Sequence, residues 1–409
     1  MARLLGWMSP DGRMLLVTKF FRTLAFGYLS TALPFYFGNI LSFSDFLTGV
    51  IAAVALVGGV VLTITASLIA NRVSRRNSLS IFAFLMLISG ALLIASADVI
   101  IILIAVFIGS IGVNATETGP FISIEQAIMP QTTTDDKRTY AFSIFNLLGY
   151  AGAAFGALLG ALPELARNYL NFTLINGYRT LFALFALTGL LLMVVYRSLS
   201  HRAEVEVTRI SRFGLDKSAR TVAKLSVLFS IDAFGGGFVI SLIISLWFKQ
   251  RYNASVSEVG AILFVTQIVT AASFLVAGLL ARRIGLLRTM VFTHVPSNIL
   301  LIAVGLAPTF GTSVAFLLLR QTISQMDVPT RQSYMTAIIP SEERNAANSI
   351  TNVSRSIAAA PPPTISGYLI QSGLWAAPFL FGGVFKIAYD ILIYLSFRNV
   401  KPPEEENKQ

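Results

Sequence analysis

Apolar residues come in long runs separated by short polar punctuation, from one end of the chain to the other. Runs of roughly 17 to 25 predominantly apolar residues match the hydrocarbon thickness of a bilayer when helical. Such runs fall at residues 14–40, 46–70, 78–97, 99–128, 140–163, 180–198, 222–248, 257–280, 286–306, 312–338, 345–370 and 375–397. Stretches such as VIIILIAVFIG (99–109) lack the alternation that a transmembrane barrel strand requires. The pattern predicts an all-α membrane protein with twelve transmembrane helices.

The runs repeat. GVIAAVALVGGVVLTITASLIANRV (49–73) aligns without gaps on GAILFVTQIVTAASFLVAGLLARRI (260–284), an offset of about 210 residues. AFG (25–27) matches AFG (233–235), AIMP (127–130) matches AIIP (337–340), and AFSIFN (141–146) matches ANSITN (347–352). Helices 1 to 6 therefore correspond to helices 7 to 12 in order and orientation, an arrangement found in transporters. The expected division is a six-helix bundle at 1–198, a basic linker at 199–220 and a second bundle with a short polar tail at 221–409.

Composition agrees, with 55% hydrophobic and only 12% charged residues, where a soluble domain carries about 25% charged. Lys and Arg fall on alternate loops. With the N-terminus placed in the cytoplasm, twenty lie on cytoplasmic segments, whereas the outer loops hold only Arg167, Arg179, Lys249 and Arg251. This bias predicts cytoplasmic termini in a multi-pass protein of the cell membrane. It also accounts for the net charge of +11 without nucleic acid as a partner. The first run is long, carries Lys19 and Arg22 and is followed by eleven more, so no cleavable signal peptide is read there.

Several chemistries drop out. The chain has no cysteine, two histidines (His201 and His294), and no lysine that follows a glycine. Disulfides, thiolate or His-rich metal sites and a P-loop are thereby excluded. We expect neither an enzyme nor a cofactor, but a monomer whose partners are a small-molecule substrate, protons and membrane lipids.

Twelve helices in two parallel halves, joined by a basic loop, resemble the major facilitator superfamily. The loops after helices 2 and 8 are similar to its Gly-x-x-x-Asp-Arg/Lys-x-Gly-Arg/Lys-Arg/Lys signature. The first copy reads Ser67, Asn71, Arg72, Ser74, Arg75 and Arg76 at the matching places, and the second reads Gly278, Arg282, Arg283 and Gly285. Asn71 and Arg282 depart from the acid of the signature. The resemblance implies a cytoplasmic gate at Asn71, Arg72, Gly278, Arg282 and Arg283, and a central cavity lined by helices 1, 4, 7 and 10.

Those four helices hold most of the embedded charge: Lys19 and Arg22, Glu117 and Glu125, Asp232, and Arg320, Asp327 and Arg331. An ionisable residue within a membrane helix is costly unless it faces protein or water, which makes it a functional candidate. At 1.5 Å rise per residue, Arg22, Glu117, Asp232, Asp327 and Arg355 fall at a shared depth of roughly 12 to 17 Å. Glu117 and Asp327 correspond under the repeat, and each precedes a proline, Pro120 or Pro329.

Asp327 has Arg331 at i+4, whereas Glu117 and Asp232 have no basic residue at i±3 or i±4. Glu117 and Asp232 are therefore the expected proton carriers. Arg22, Asp327, Arg331 and Arg355 are the expected substrate-binding or gating residues. Structural alternatives stand beside these: an architectural Asp327–Arg331 pair, a fixed Glu117–Arg22 bridge, Glu125 and Lys19 reaching for the interface, and an intrahelical Lys386–Asp390 pair.

Gly152, Gly156 and Gly160 recur every four residues on helix 5, a spacing that permits close helix approach and is loosely similar to the glycine-rich helix 5 of drug/proton antiporters. FGGGF (234–238) and AAAPPPT (358–364) are expected to interrupt helices 7 and 11. The sequence thus predicts a proton-coupled secondary transporter or permease, with an efflux antiporter among its forms. An organic-anion carrier using cavity arginines, or a non-transporting sensor on a transporter fold, are the alternatives.

Overall fold

A computed structural model describes residues 6–69, 73–109, 111–113, 119–134, 137–200, 204, 215, 217–340 and 343–400, with the side chains of residues 67, 138, 139, 274, 275, 278, 282, 336 and 345 excepted. Among these residues the regular structure is entirely helical. Among the described residues, seventeen α-helices fall on the runs that the hydropathy pattern marks, and they are grouped below by those runs.

Segment 1 is α1 (Pro10–Phe35) with a π-helical turn at Tyr36–Ile40, and segments 2 and 3 are α2 (Asp45–Ile69) and α3 (Arg75–Ala95). Segment 4 is broken into α4 (Val99–Ile108) and α5 (Pro120–Ile128). Segment 5 is α6 (Arg138–Leu159) and α7 (Leu162–Leu170), and segment 6 is α8 (Leu174–Arg197). In the second set, segment 7 is α9 (Ala219–Gly237) and α10 (Ser241–Tyr252), followed by α11 (Val256–Ile284) and α12 (Leu286–Leu306). Segment 10 is α13 (Phe310–Gln321) and α14 (Asp327–Ile338), segment 11 is α15 (Arg344–Ala359) and α16 (Pro362–Gln371), and segment 12 is α17 (Ala377–Phe397).

Eight spans are long and apolar enough to cross a bilayer on their own, and they account for segments 2, 3, 5, 6, 7, 8, 9 and 12. The others are charged or interrupted, and they need the rest of the protein around them. Helix starts carry the expected chemistry: Ser9 accepts from Gly12 N at 3.3 Å before Pro10, and Asp98 accepts from Ile100 N at 2.9 Å. Ser255 and Glu258 form a reciprocal capping box on α11. The interruptions also follow sequence. Gly119 takes φ 134°, open to glycine alone, just before Pro120 starts α5. The glycine run ends α9, and the proline cluster separates α15 from α16.

Freed backbone groups at the breaks find partners. Leu242 N, in the first turn of α10, donates to Val113 O at 3.1 Å within the break of segment 4, and Ser366 Oγ donates to Phe238 O at 2.9 Å. Two interrupted segments, one from each set of six, thus satisfy each other.

Glycines set the closest approaches. A Cβ on Gly156 would meet the Leu24 carbonyl and one on Gly152 the Phe20 carbonyl, so the stripe on α6 seats α1 in the same set of six. Between the sets, Gly260 of α11 lies against the Ala157 carbonyl of α6, and Gly49 of α2 and Gly367 of α16 face each other. On the side of the membrane away from the termini, Lys249 Nζ donates to Pro34 O (3.2 Å), Gln250 Nε2 to Asp45 Oδ1 (2.7 Å), Phe46 N to Gln371 Oε1 (3.1 Å) and Ser257 Oγ to Glu164 Oε2 (3.1 Å). These four bonds stitch the two sets together at the far side.

On the terminus side, the bonds run within each set. Ser200 N and Oγ donate to the Asp11 carboxylate at 3.0 and 2.5 Å, and Ser9 N donates to Thr132 O at 2.8 Å. Glu204 of the linker accepts from Arg75 N and Arg76 N at 2.8 and 3.0 Å, capping α3. Glu343 does the same for the start of α9, accepting from Lys217 N at 2.8 Å and Ser218 N at 2.9 Å. Each set therefore has its terminus-side loops tied to itself by a carboxylate at a helix N-terminus, where the helix dipole favours negative charge.

Candidate functional site

Asp232 sits on α9 in the sequence FSIDAFG, five residues before the glycines end the helix. It is almost fully buried, and its carboxylate gathers cations from three other helices and a histidine from a fourth. Lys386 Nζ of α17 donates to Oδ1 at 2.6 Å, while Arg355 Nη1 of α15 and Arg331 Nη1 of α14 donate to Oδ2 at 3.0 and 3.2 Å. His294 Nε2 of α12 lies 3.9 Å from Oδ1. A buried carboxylate is tolerable only when paired and hydrogen-bonded, and here the pairing pins α9, α14, α15 and α17 to one point.

The network continues outward. Arg331 Nη1 also reaches Asp327 Oδ2 at 3.0 Å, one helical turn back along α14, and its guanidinium lies 5.4 Å from the Phe229 ring centroid. On the opposite side of Asp232, His294 Nδ1 is 2.8 Å from Asp390 Oδ1, and Asn298 Nδ2 donates to Asp390 Oδ2 at 3.0 Å. Arg355 is the most exposed of the cations on Asp232, with 24% of its side chain accessible, against 11% for Arg331 and 11% for Lys386. The cluster therefore opens at Arg355 and closes behind Lys386 and His294.

The first set of six holds a second buried cluster. Arg22 of α1 and Glu125 of α5 form a two-pronged pair, Nη2 to Oε2 at 2.5 Å and Nη1 to Oε1 at 3.0 Å, with neither side chain exposed. Tyr196 OH donates to Glu125 Oε1 at 2.7 Å, Thr18 Oγ1 donates to the same oxygen at 3.0 Å, and the guanidinium stacks 4.6 Å over Phe121. Two parallel N–H···O bonds are the strong form of this pair. Glu125, read from sequence as reaching for the interface, is instead wholly buried, and Lys19 is buried 4.8 Å from the Phe145 ring centroid.

The residues singled out from sequence fall into three groups. Asp232, Asp327, Arg331 and Arg355 come together in one cluster, and Arg22 stands in the other. Asp232 has no cation at i±3 or i±4 on its own helix, and three other helices supply its partners. Glu117, Asn71 and Arg72 lie outside the described residues, as do the side chains of Gly278 and Arg282, while Arg283 is exposed near the end of α11. The Lys386–Asp390 pair is also corrected, since Lys386 turns to Asp232 and Asp390 turns to His294.

Sequence reasoning missed Glu125, Tyr196, His294, Asn298 and Lys386 as members of these networks. One signal was present: His294 and Asn298 at i,i+4 form a polar face on an otherwise apolar helix, and Lys386 and Asp390 repeat that spacing on another.

Comparison with known proteins matches the chain to the Major Facilitator Superfamily family model over residues 15–319 and 225–409. The uncharacterized membrane protein YJR124C of Saccharomyces cerevisiae is 25% identical, with 96% of this chain and 95% of that protein covered. Among solved structures, a mutant form of the nucleoside transporter NupG superposes with a TM-score of 0.74 at 12% identity, covering 95% of this chain and 100% of that one. A D-xylose-proton symporter superposes with a TM-score of 0.72 at 16% identity, covering 97% of this chain and 99% of that one. At these identities the solved structures are likenesses of fold.

Proposed function

The chain belongs to the major facilitator superfamily, and on that premise we propose that it moves a small organic solute across the cell membrane by alternating access, coupled to protons. The observation that carries this reading is the Asp232 cluster, where one buried carboxylate is the shared anion for cations on three separate helices. Protonating Asp232 would cancel that anion and release Arg355, the most exposed partner, so a single proton would change how α9, α14, α15 and α17 hold together. Charge state and helix packing are thereby linked, as coupled transport requires.

Two further features support the reading. Residues 1–198 and 221–409 act as the two rocking units, joined by the basic linker. The bonds of Lys249, Gln250, Phe46 and Ser257 close the far side, and the terminus-side loops are tied within each unit. The structure thus fits a state whose access is from the terminus side, which the positive-charge bias assigns to the cytoplasm. Asp232 and Glu117 are the proposed proton carriers. Asp327, Arg331, Arg355 and Arg22 hold substrate or gate it, with Asn71, Arg72, Gly278, Arg282 and Arg283 at the cytoplasmic end. The chain works as a monomer in this scheme.

The test is solute flux into proteoliposomes with and without an imposed pH gradient, run over a solute panel. Flux that follows the gradient and is lost in Asp232→Asn supports the proposal. Accumulation that survives both Glu117→Gln and Asp232→Asn removes the proton assignment, and solute binding without flux leaves only a sensor.

A further inference from the structure

Arg320 is the one arginine of segment 10 left over by the networks above. It ends α13, is buried at 7% exposure, and lies within electrostatic range of Asp327 and Asp232. Among the described residues, no carboxylate comes within ion-pair distance of it. Among the described residues, its side-chain hydrogen bond runs from Nη1 to the neighbouring Gln321 Oε1 at 3.1 Å, and Nε, fully buried, finds no partner there. A buried guanidinium without a counter-charge is among the costliest arrangements a protein can hold.

The surrounding charge is uneven in the same sense. Among the described residues, the carboxylates beside Arg320, Arg331, Arg355 and Lys386 are Asp232, Asp327 and Asp390, and those three are already engaged by Arg331, Arg355, Lys386 and His294. With His294 neutral the cluster carries one positive charge in excess; with His294 protonated it carries two.

Its position suits a ligand. The chain between α13 and α14 runs through an irregular turn, where Ile323 N and Ser324 N both donate to Arg320 O and Ser324 Oγ donates to Gln321 Oε1 at 2.6 Å. The helix break thus gathers polar groups around the arginine.

We propose that Arg320 is the recognition cation of an oxyanion site at the break in segment 10, and that the transported solute carries a carboxylate or phosphate group. The inference rests on the transport reading for the word "transported"; the anion site itself stands on the geometry of Arg320. An anion bound there supplies the missing counter-charge and fills Nε and the free Nη2 with charge-assisted hydrogen bonds, the fork geometry that arginine offers to planar oxyanions. It also competes with Asp232 and Asp327 for the neighbouring cations, which ties substrate binding to the proton site.

The test uses the full chain purified in detergent, with thermal unfolding followed by tryptophan fluorescence. The probes are benzoate, inorganic phosphate, the neutral amide benzamide, and chloride at matched ionic strength. Benzoate or phosphate is expected to raise the melting temperature above the benzamide and chloride references, and Arg320→Gln is expected to raise the half-saturating concentration about tenfold or more. Without any anion, Arg320→Gln is expected to melt no lower than the wild type, because it removes an uncompensated buried charge; a purely structural arginine would give a lower melting temperature. Arg167→Gln, at an exposed position in the last turn of α7, serves as the control.

Equal stabilisation by benzamide or chloride, no stabilisation by either oxyanion, or an unchanged response in Arg320→Gln each overturns the inference. Proton-linked flux of neutral solutes with no oxyanion response overturns it and leaves the transport reading standing. Oxyanion binding lost in Arg320→Gln, with no flux of any solute, supports the site and counts against transport.

Discussion

Lys386 Nζ lies 2.6 Å from Asp232 Oδ1, although Asp390 is only four residues away on the lysine's own helix. The choice of the distant carboxylate makes Asp232 the hub of the second unit. Replacing Asp232 with Asn leaves Lys386, Arg331 and Arg355 short of one negative charge, and breaking a buried pair from one side costs about 3–5 kcal/mol. Asp232→Asn should therefore melt well below the wild type, and adding Lys386→Met should recover part of the loss. A double-mutant cycle on melting in detergent measures the coupling, and strict additivity would contradict it.

The Arg22–Glu125 pair predicts a graded series. Tyr196→Phe removes a hydroxyl that donates to Glu125 Oε1 and accepts from Arg22 Nη1, and should cost about 1.5–3 kcal/mol. Glu125→Gln removes the counter-charge of a fully buried arginine and should cost about 3–5 kcal/mol. Thermal or denaturant unfolding should give that order, and a reversal would mean that Glu125 is not the main partner of Arg22.

Gly49 and Gly367 bring α2 and α16 together across the far side, with a Cβ at Gly367 aimed at the Asp45 carbonyl. Gly367→Leu should force them apart at a cost of about 1–3 kcal/mol to the closed state. The chain has no cysteine, so a single Ser257→Cys reporter can register the opening. Thiol labelling from the far side should be faster in the Gly367→Leu background, and an unchanged rate would show that this contact does not hold the seal.

Glu204 and Glu343 cap α3 and α9 with their carboxylates. Alanine at either position should lower stability by about 0.5–2 kcal/mol, the usual cost of a lost helix cap. Each loss should appear in unfolding measurements as an independent increment, because the two caps belong to different units.

Much of this molecule is legible in its sequence, and what is not has a common cause. The spans follow from hydropathy, and the breaks after Gly237 and Ala359 from glycine and proline, because both are local properties. Asp327 and Arg331 were paired correctly since both lie on α14. The partners of Asp232 could not be named from sequence, because an i±4 search sees only its own helix and they lie about 100 to 150 residues away on other helices. Glu125 was placed near the interface by counting residues along one unbroken helix, whereas segment 4 breaks before Pro120 and the fold sets Glu125 beside Arg22 and Tyr196.

Glu204 and Glu343 have one more consequence, in the covalent chain between them. Glu204 is moored to the first unit, and the backbone at Lys217 is moored to the second. Thirteen residue steps separate 204 from 217, and a polypeptide cannot stretch beyond about 3.3–3.6 Å per residue. The two moorings can therefore never stand more than about 43–47 Å apart. The linker is a leash of fixed length, and its slack sets how far these two moorings can part on the terminus side.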